Sequence, residues 1–539
     1  MTGFRTSRPL AIALFLVVSV LLIPTTSARS NPAVTLEPRP TLTAEQLRSE
    51  LNAQALPSTQ PLPVTADSHP FNGARWQNKP IDLAKRGYVE KEYLLSGESN
   101  VYDWSPDGAF ETTVLRSGDY TTRMLVRRPK NMDTWSGKVN VEVINMTAGY
   151  DWTAVWSALW ERTIRDNDVY VGLTSKPNVL RGMKQFDPER YAELSWDNPL
   201  PPEEQTCGRL PGDAGYDPNQ SRLYENGLAW DMFTQTGRLL KSRSPENPLG
   251  ARADQVILTG ESQSANYLLT YYRFFTPSAE LPSGRPVFDG YLAETQVGKA
   301  GVPINQCATP LAVGDSQRVF PSRSVPWAGI NSQWDYDGAR RWNAPQDRNT
   351  ASAKRVFWEL AGSHHGWEWQ YLYGDANAED LIAAGFWDPA TYAWSCGPNN
   401  PEVPLYMSEK ALFVQLKRWI ETGQSPTRGP RILHEPVDPG DGFDDKTIYD
   451  GLDNAMGGIR YPMVEAPVAS FGVGQYALSG DCPEIVPFDA GTLDALYPTR
   501  RNYLQQYDAA TALLVRQGFV LKPDAAKLTA TARKVTSVR

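Results

Sequence analysis

Residues 254–275, DQVILTGESQSANYLLTYYRFF, restrict the fold more than any other stretch of the chain. An apolar run opens it, Gly260-Glu261-Ser262-Gln263-Ser264 follows, and Ala265, Leu268, Leu269 and Tyr272 then recur at helical spacing. A strand that turns at once into a helix leaves its turn residue exposed above the strand end. Small residues two before and two after that turn let strand and helix approach closely. Gly260 and Ser264 are those small residues, so Ser262 is expected to be a nucleophile at the head of a helix. The helix dipole and its free amides favour the anion that forms in acyl transfer. The competing reading is a plain helix cap, in which Ser262 bonds a backbone amide and does no chemistry.

Other strands surround this one. TTRMLVRRP, GKVNVEVINM and NDVYVGLTS are short and rich in Val, Ile and Tyr, and a helical pattern follows at LAWDMFTQTGRLLKS. Strands alternating with helices imply an α/β fold with a mostly parallel central sheet flanked by helices. At 539 residues and 41% hydrophobic content the chain can bury a large core. Its length would allow three or four units of about 150 residues, but α/β enzymes also spend length on insertions around one sheet. The expected organisation is an extended arm over 29–75 and one catalytic domain over 76–539, with insertions near 176–223 and 430–500 that form a lid or cap. Within 503–517, Tyr503, Tyr507, Ala510 and Leu514 share a helical face, and Gly518 stands where the helix would end.

A serine hydroxyl needs a base, and the chain has four histidines: His69, His364, His365 and His434. In a strand-turn-helix hydrolase the order is serine, acid, histidine, which removes His69. His364 and His365 follow the apolar run 356–360 and a small-residue turn, whereas His434 reads as part of a surface strand. His365 is the preferred base because it begins the turn His-Gly-Trp, with His364 as the alternative. A metal pair is not expected, because adjacent histidines project differently and no HExxH-type spacing is present. The acid should follow the preceding strand, read at 325–332. Asp335 is the first choice and Asp337 the reserve, both competing with a turn that merely uses aspartates. The oxyanion hole is expected from the amides of Gln263 and of Thr147, in the loop after VNVEVI.

The first 28 residues run from Arg5 and Arg8 through an apolar stretch at 10–23 to Thr26-Ser27-Ala28. This is the layout of an export signal cleaved near Ala28, and the run falls short of the roughly 20 residues of a spanning helix. The expectation is a secreted or periplasmic protein with no stable membrane anchor. Removing Arg5 and Arg8 takes the formal charge from -8 to -10, a balance that argues against nucleic acid as partner. Cys207, Cys307, Cys396 and Cys482 are too far apart for a zinc site, and export would let them form two disulfides in any of three pairings. Seventeen tryptophans, with Trp152, Trp156 and Trp160 at helical spacing and Trp334, Trp358, Trp367 and Trp369 near the acid and base, offer either core packing or aromatic cleft walls.

Several segments together resemble the alpha/beta hydrolase domain family: VEVINMTAGYD, DPERYAELSWDNP, TGESQSANYLLTYY, FDGYLAE, VPWAGINSQWD, ELAGSHHG, ALFVQLKRWIETGQSP and GGIRYPMVEAPVASF. The resemblance covers nearly all of the chain beyond the export segment. It implies the α/β-hydrolase fold, a serine esterase activity without cofactor or metal, and the triad Ser262, Asp335 and His365. The sequence departs from the usual pattern in carrying Ser264 for glycine, Trp-Asp at 334–335 and a second histidine before the base. The expected substrate is a small-molecule carboxylic ester of apolar or aromatic character. Acyl transfer, peptidase or lactonase action on the same triad, or a non-catalytic ligand-binding role, are the rivals. No feature of the sequence fixes an oligomeric state.

Overall fold

A computed structural model describes residues 41–104, 112–205, 207–208, 221–296, 301–308, 311, 319–337, 345–366, 368–386, 403–435, 446–471 and 485–539. Residues 1–28, read above as an export signal, and Cys396, Cys482 and Trp367 lie outside these residues.

Among the described residues, eleven strands form one sheet. They are β1 (Thr41–Leu42), β2 (Ser58–Leu62), β3 (Tyr88–Trp104), β4 (Thr112–Pro129), β5 (Lys138–Val143), β6 (Val169–Leu173), β7 (Gln255–Glu261), β8 (Gly290–Glu294), β9 (Trp327–Ser332), β10 (Arg348–Asn349) and β11 (Lys354–Leu360). The order across the sheet is β10-β11-β9-β8-β7-β5-β6-β4-β3-β2, with β1 on β4. The six strands from β11 to β6 run parallel, and the outer pairings are antiparallel. The helices are α1 (Ala44–Ala53), α2 (Ala154–Asp166), α3 (Leu180–Phe186), α4 (Ala229–Leu240), α5 (Gln263–Phe274), α6 (Gln333–Asp337), α7 (Glu368–Gly374), α8 (Ala378–Ala383), α9 (Leu405–Thr422), α10 (Pro462–Glu465), α11 (Ala490–Leu496), α12 (Arg500–Gln517) and α13 (Lys522–Lys534).

The parallel strands are buried on both faces, as strands covered by helices on each side must be. Their side chains alternate between two cores. Val256, Leu258, Tyr291, Trp327 and Phe357 join the core that holds α4 and α5. Ile257, Leu292, Ala328, Ile330, Val356 and Trp358 join the core built with α2, α9, α12 and α13. Helix α12 ends at Gly518, which takes a left-handed conformation (φ 84°) open to glycine. Its buried face is Tyr503, Tyr507, Thr511 and Leu514, one position away from the expected Ala510.

The N-terminal stretch departs from the extended arm that its composition predicts. Thr43 and Gln46 cap α1 reciprocally, each side chain accepting from the other's amide, and Leu47 and Leu51 bury on the large core. Strand β2 then pairs with β3 at the sheet edge. Two apolar residues four apart are a faint periodic signal, and it is tertiary burial that stabilises the helix. The 176–223 stretch carries α3, and Cys207 in it is disulfide-bonded to Cys307 in the segment after β8. Between α9 and α12 lie α10, α11 and two short antiparallel strand pairs, 434–435 with 446–447 and 469–470 with 486–487.

Strand β5 leads to β6 on one side, and the chain then returns to place β7 on the other. That reversal opens a crevice at the carboxyl ends of β5 and β7, the place where open α/β sheets bind ligands.

Candidate active site

Ser262 occupies this crevice edge, between the last residue of β7 and the first of α5. Its backbone has φ 55° and ψ −117°, a conformation that a non-glycine residue holds only where its surroundings impose it. The imposing contacts are visible. The Ser262 amide donates to the Glu294 carbonyl (2.9 Å). Gly260 lets β7 meet α5, since a Cβ there would lie 2.9 Å from Leu268 Cδ1 and from the Ser264 carbonyl carbon. Ser264, standing where the usual pattern has glycine, is buried, and its hydroxyl donates to the Ile144 carbonyl (3.2 Å) at the end of β5.

Two loops converge on this serine. His365 Nε2 lies 2.7 Å from Ser262 Oγ, and His365 Nδ1 lies 2.7 Å from Asp335 Oδ1. An ionised carboxylate only accepts, so Nδ1 carries the proton and Nε2 is left to accept from the serine hydroxyl. Asp335 is buried, and its second oxygen accepts from both the amide and the hydroxyl of Ser332 at 2.8 Å. The Asp335 amide returns a bond to Ser332 Oγ (3.2 Å). Ser332 and Asp335 thus cap the short helix α6 reciprocally, and this cap fixes which aspartate faces the imidazole. Asp337 is the last residue of α6.

His364 turns the other way. It is buried, its Nε2 finds no hydrogen-bond partner among the described residues, and burial followed by the neighbouring His365 pushes its pKa down to about 4. His69 stacks on Trp76 (4.2 Å) and faces Asp380, and His434 lies in a short strand pair. Among the tryptophans, Trp334 packs against His365 (ring centres 4.9 Å apart), whereas Trp156, Trp160 and Trp358 are core.

The two expected oxyanion donors differ. Gln263 is the first residue of α5, where an amide has no acceptor within its own helix. The Thr147 amide instead donates to Asn145 Oδ1 (2.8 Å), so this N–H is already committed. The reason is local: an asparagine side chain readily accepts from the backbone two residues on. Asn145 Nδ2 in turn donates to the Glu261 carbonyl (3.1 Å) and carboxylate (2.5 Å), tying the β5 loop to the end of β7.

Sequence reasoning passed over two charged groups. Glu261 is buried with Oε1 3.8 Å from His365 Nε2 and accepting from Thr295 Oγ1 (2.9 Å); burial raises its pKa, and His365 acts against that rise. Lys176, just past β6, is buried with Nζ donating to Gln263 Oε1 and Ser264 Oγ, both at 3.0 Å. Neither has a local signature, because each is defined by elements far away in the chain. Among the described residues no group of three or more His, Cys, Asp or Glu side chains is arranged to hold a metal ion.

A mostly parallel sheet with a serine on the turn after one strand, and a histidine and an acid on loops after later strands, defines the α/β-hydrolase fold. The family described as alpha/beta hydrolase domain matches residues 58–530, and the chain belongs to it. Solved structures similar to this chain include a variant of the esterase Est22, with 13% identity over 42% of this chain and 49% of that one (TM-score 0.21). That match spans about half of the variant's length. Est22 with p-nitrophenol is 11% identical over 57% of this chain and 82% of its own (TM-score 0.29). A fungal esterase from Rhizomucor miehei is 11% identical over 54% and 81%, respectively (TM-score 0.26). No curated protein matches the chain.

Proposed function

We propose that this protein is an exported serine hydrolase that cleaves a carboxylic ester through an acyl-enzyme on Ser262. The observation that carries the reading is the unbroken line Ser262 Oγ, His365, Asp335, with 2.7 Å at each step. His365 takes the serine proton as Oγ attacks the ester carbonyl, and later returns it to the leaving alcohol. Asp335 holds the tautomer and stabilises the imidazolium, and its two bonds from Ser332 hold the carboxylate in line. The oxyanion develops at the N-terminus of α5, next to the Gln263 amide. A water then takes the acyl group by the same proton relay.

Trp334 beside His365 supports an apolar or aromatic group on the substrate. The basic-then-apolar N-terminus and the Cys207–Cys307 disulfide support export to a secreted or periplasmic location. Among the described residues no helix is long and apolar enough to cross a membrane. The family match over 58–530 supports a single catalytic domain.

The test is intact-mass labelling with a fluorophosphonate, run on the wild type beside Ser262→Ala and His365→Ala, followed by hydrolysis of short and medium acyl p-nitrophenyl esters. A single adduct and ester turnover in the wild type, both lost in the two variants, is expected. Labelling that persists in Ser262→Ala, or a folded wild type that neither labels nor hydrolyses, would sink the assignment.

A further inference from the structure

Lys176 is 2% exposed, and among the described residues no carboxylate lies within ion-pairing distance of its Nζ. Removing an ammonium from water without an ion-pair partner in contact is costly, so the bonds it makes need an account. Among the described residues, the hydrogen bonds and the ring contact of its Nζ are to the first turn and a half of α5. Nζ donates to Gln263 Oε1 and Ser264 Oγ and sits 4.6 Å above the Tyr267 ring. Gln263 is the half-buried residue directly after Ser262, and Ser264 also bonds the Ile144 carbonyl. One amine thereby joins the chain leaving β6 to the turn that carries the serine and, through Ser264, to the end of β5.

We propose that Lys176 is a positioning residue for acyl transfer, clamping Gln263 and Ser264 so that the first turn of α5, and with it the Gln263 amide, stays aimed at the oxyanion. This rests on the reading of Ser262 as nucleophile. Burial lowers the Lys176 pKa to about 7, opposed by the charges of Glu261 and Asp151. A charged amine at this place adds to the positive end of the helix that the oxyanion meets. Holding that end still acts in the transition state more than in substrate binding, so the effect belongs in kcat.

The experiment compares the wild type with Lys176→Met, Gln263→Leu and the double variant in p-nitrophenyl butyrate hydrolysis, with kcat expressed per fluorophosphonate-labelled site. Lys176→Met should lose about tenfold or more in kcat with KM within about twofold. Gln263→Leu, which keeps the backbone amide and removes the acceptor, should lose a similar amount. The double variant should fall no further than the worse single one, as expected of residues that act through one another. Wild-type kcat per labelled site in Lys176→Met, a change confined to KM, or losses that multiply in the double variant would overturn the inference. If Lys176→Met does not fold, Gln263→Leu decides: loss in kcat alone supports the clamp, and wild-type kcat overturns it. A wild type that neither labels nor turns over would overturn the reading of Ser262 itself, a result distinct from the others.

Discussion

Ser262 is held at φ 55° by neighbours on both sides, and the strain is useful because it lifts the hydroxyl off the sheet end toward His365. Asp335, proposed as the acid, is the residue whose replacement separates geometry from chemistry. Asp335→Asn keeps the size and the bond to Nδ1 but favours the wrong imidazole tautomer, so kcat should fall by about 10³ to 10⁴ while the thermal midpoint stays close to wild type. Asp337→Asn, two residues further on, should leave kcat within about twofold; equal losses in both variants would contradict the assignment. His364 allows a pH test. Its folded pKa of about 4 lies below the ordinary 6.5, so above pH 6.5 it is neutral in both states and its contribution is complete. As pH falls from 6.5 to 4 the unfolded chain takes up a proton that the folded chain refuses, and stability is lost. His364→Phe removes this proton uptake, and its stability relative to wild type should rise by up to about 3 kcal/mol across that window. Urea midpoints at several pH values would show it, and parallel pH curves for the two proteins would disprove it.

The junction of β7 and α5 depends on close approach, and Gly260 is the residue that permits it. In Gly260→Ala the new Cβ would meet Ser264 backbone, which cannot swing aside as a side-chain end can. The substitution should destabilise the protein by about 1–3 kcal/mol and slow fluorophosphonate labelling together, because strand, turn and helix move as one piece. A drop in the urea midpoint with an unchanged labelling rate would show that the elbow tolerates the shift. Helix α6 makes a second junction of the same kind. It is short, yet its Ser332–Asp335 cap fixes the carboxylate, and the pattern Ser-x-x-Asp that marks such a cap stands in the sequence at 332–335. That local pattern is the signal that distinguishes Asp335 from Asp337, since no serine or threonine stands three residues before Asp337.

Across the whole molecule, the large sheet brings distant parts of the chain together, and the Cys207–Cys307 bond joins two segments across a separation of 100 residues. Closing a loop of that length restricts the unfolded chain strongly. Cys207→Ser with Cys307→Ser should therefore cost about 2–5 kcal/mol, measured by urea unfolding of the oxidised wild type against the double variant. A change under about 0.5 kcal/mol would mean that the covered segments unfold independently of the sheet.

The sequence alone determined what depends on neighbours along the chain. The alternation of apolar runs and helical patterns dictates a mostly parallel sheet, the small residues around Ser262 dictate the sharp turn, and the scarcity of histidines left one pair able to follow a late strand. What depends on distant partners was decided only by the tertiary structure. It turned the His365 imidazole to the serine and buried His364. It also made a helix of part of the expected arm and brought Glu261 and Lys176 to the serine's turn. The physical reason is that burial and charge are properties of the space around a residue, and that space is assembled from elements far apart in the chain, 88 residues for Lys176 and Ser264 and 103 for Ser262 and His365.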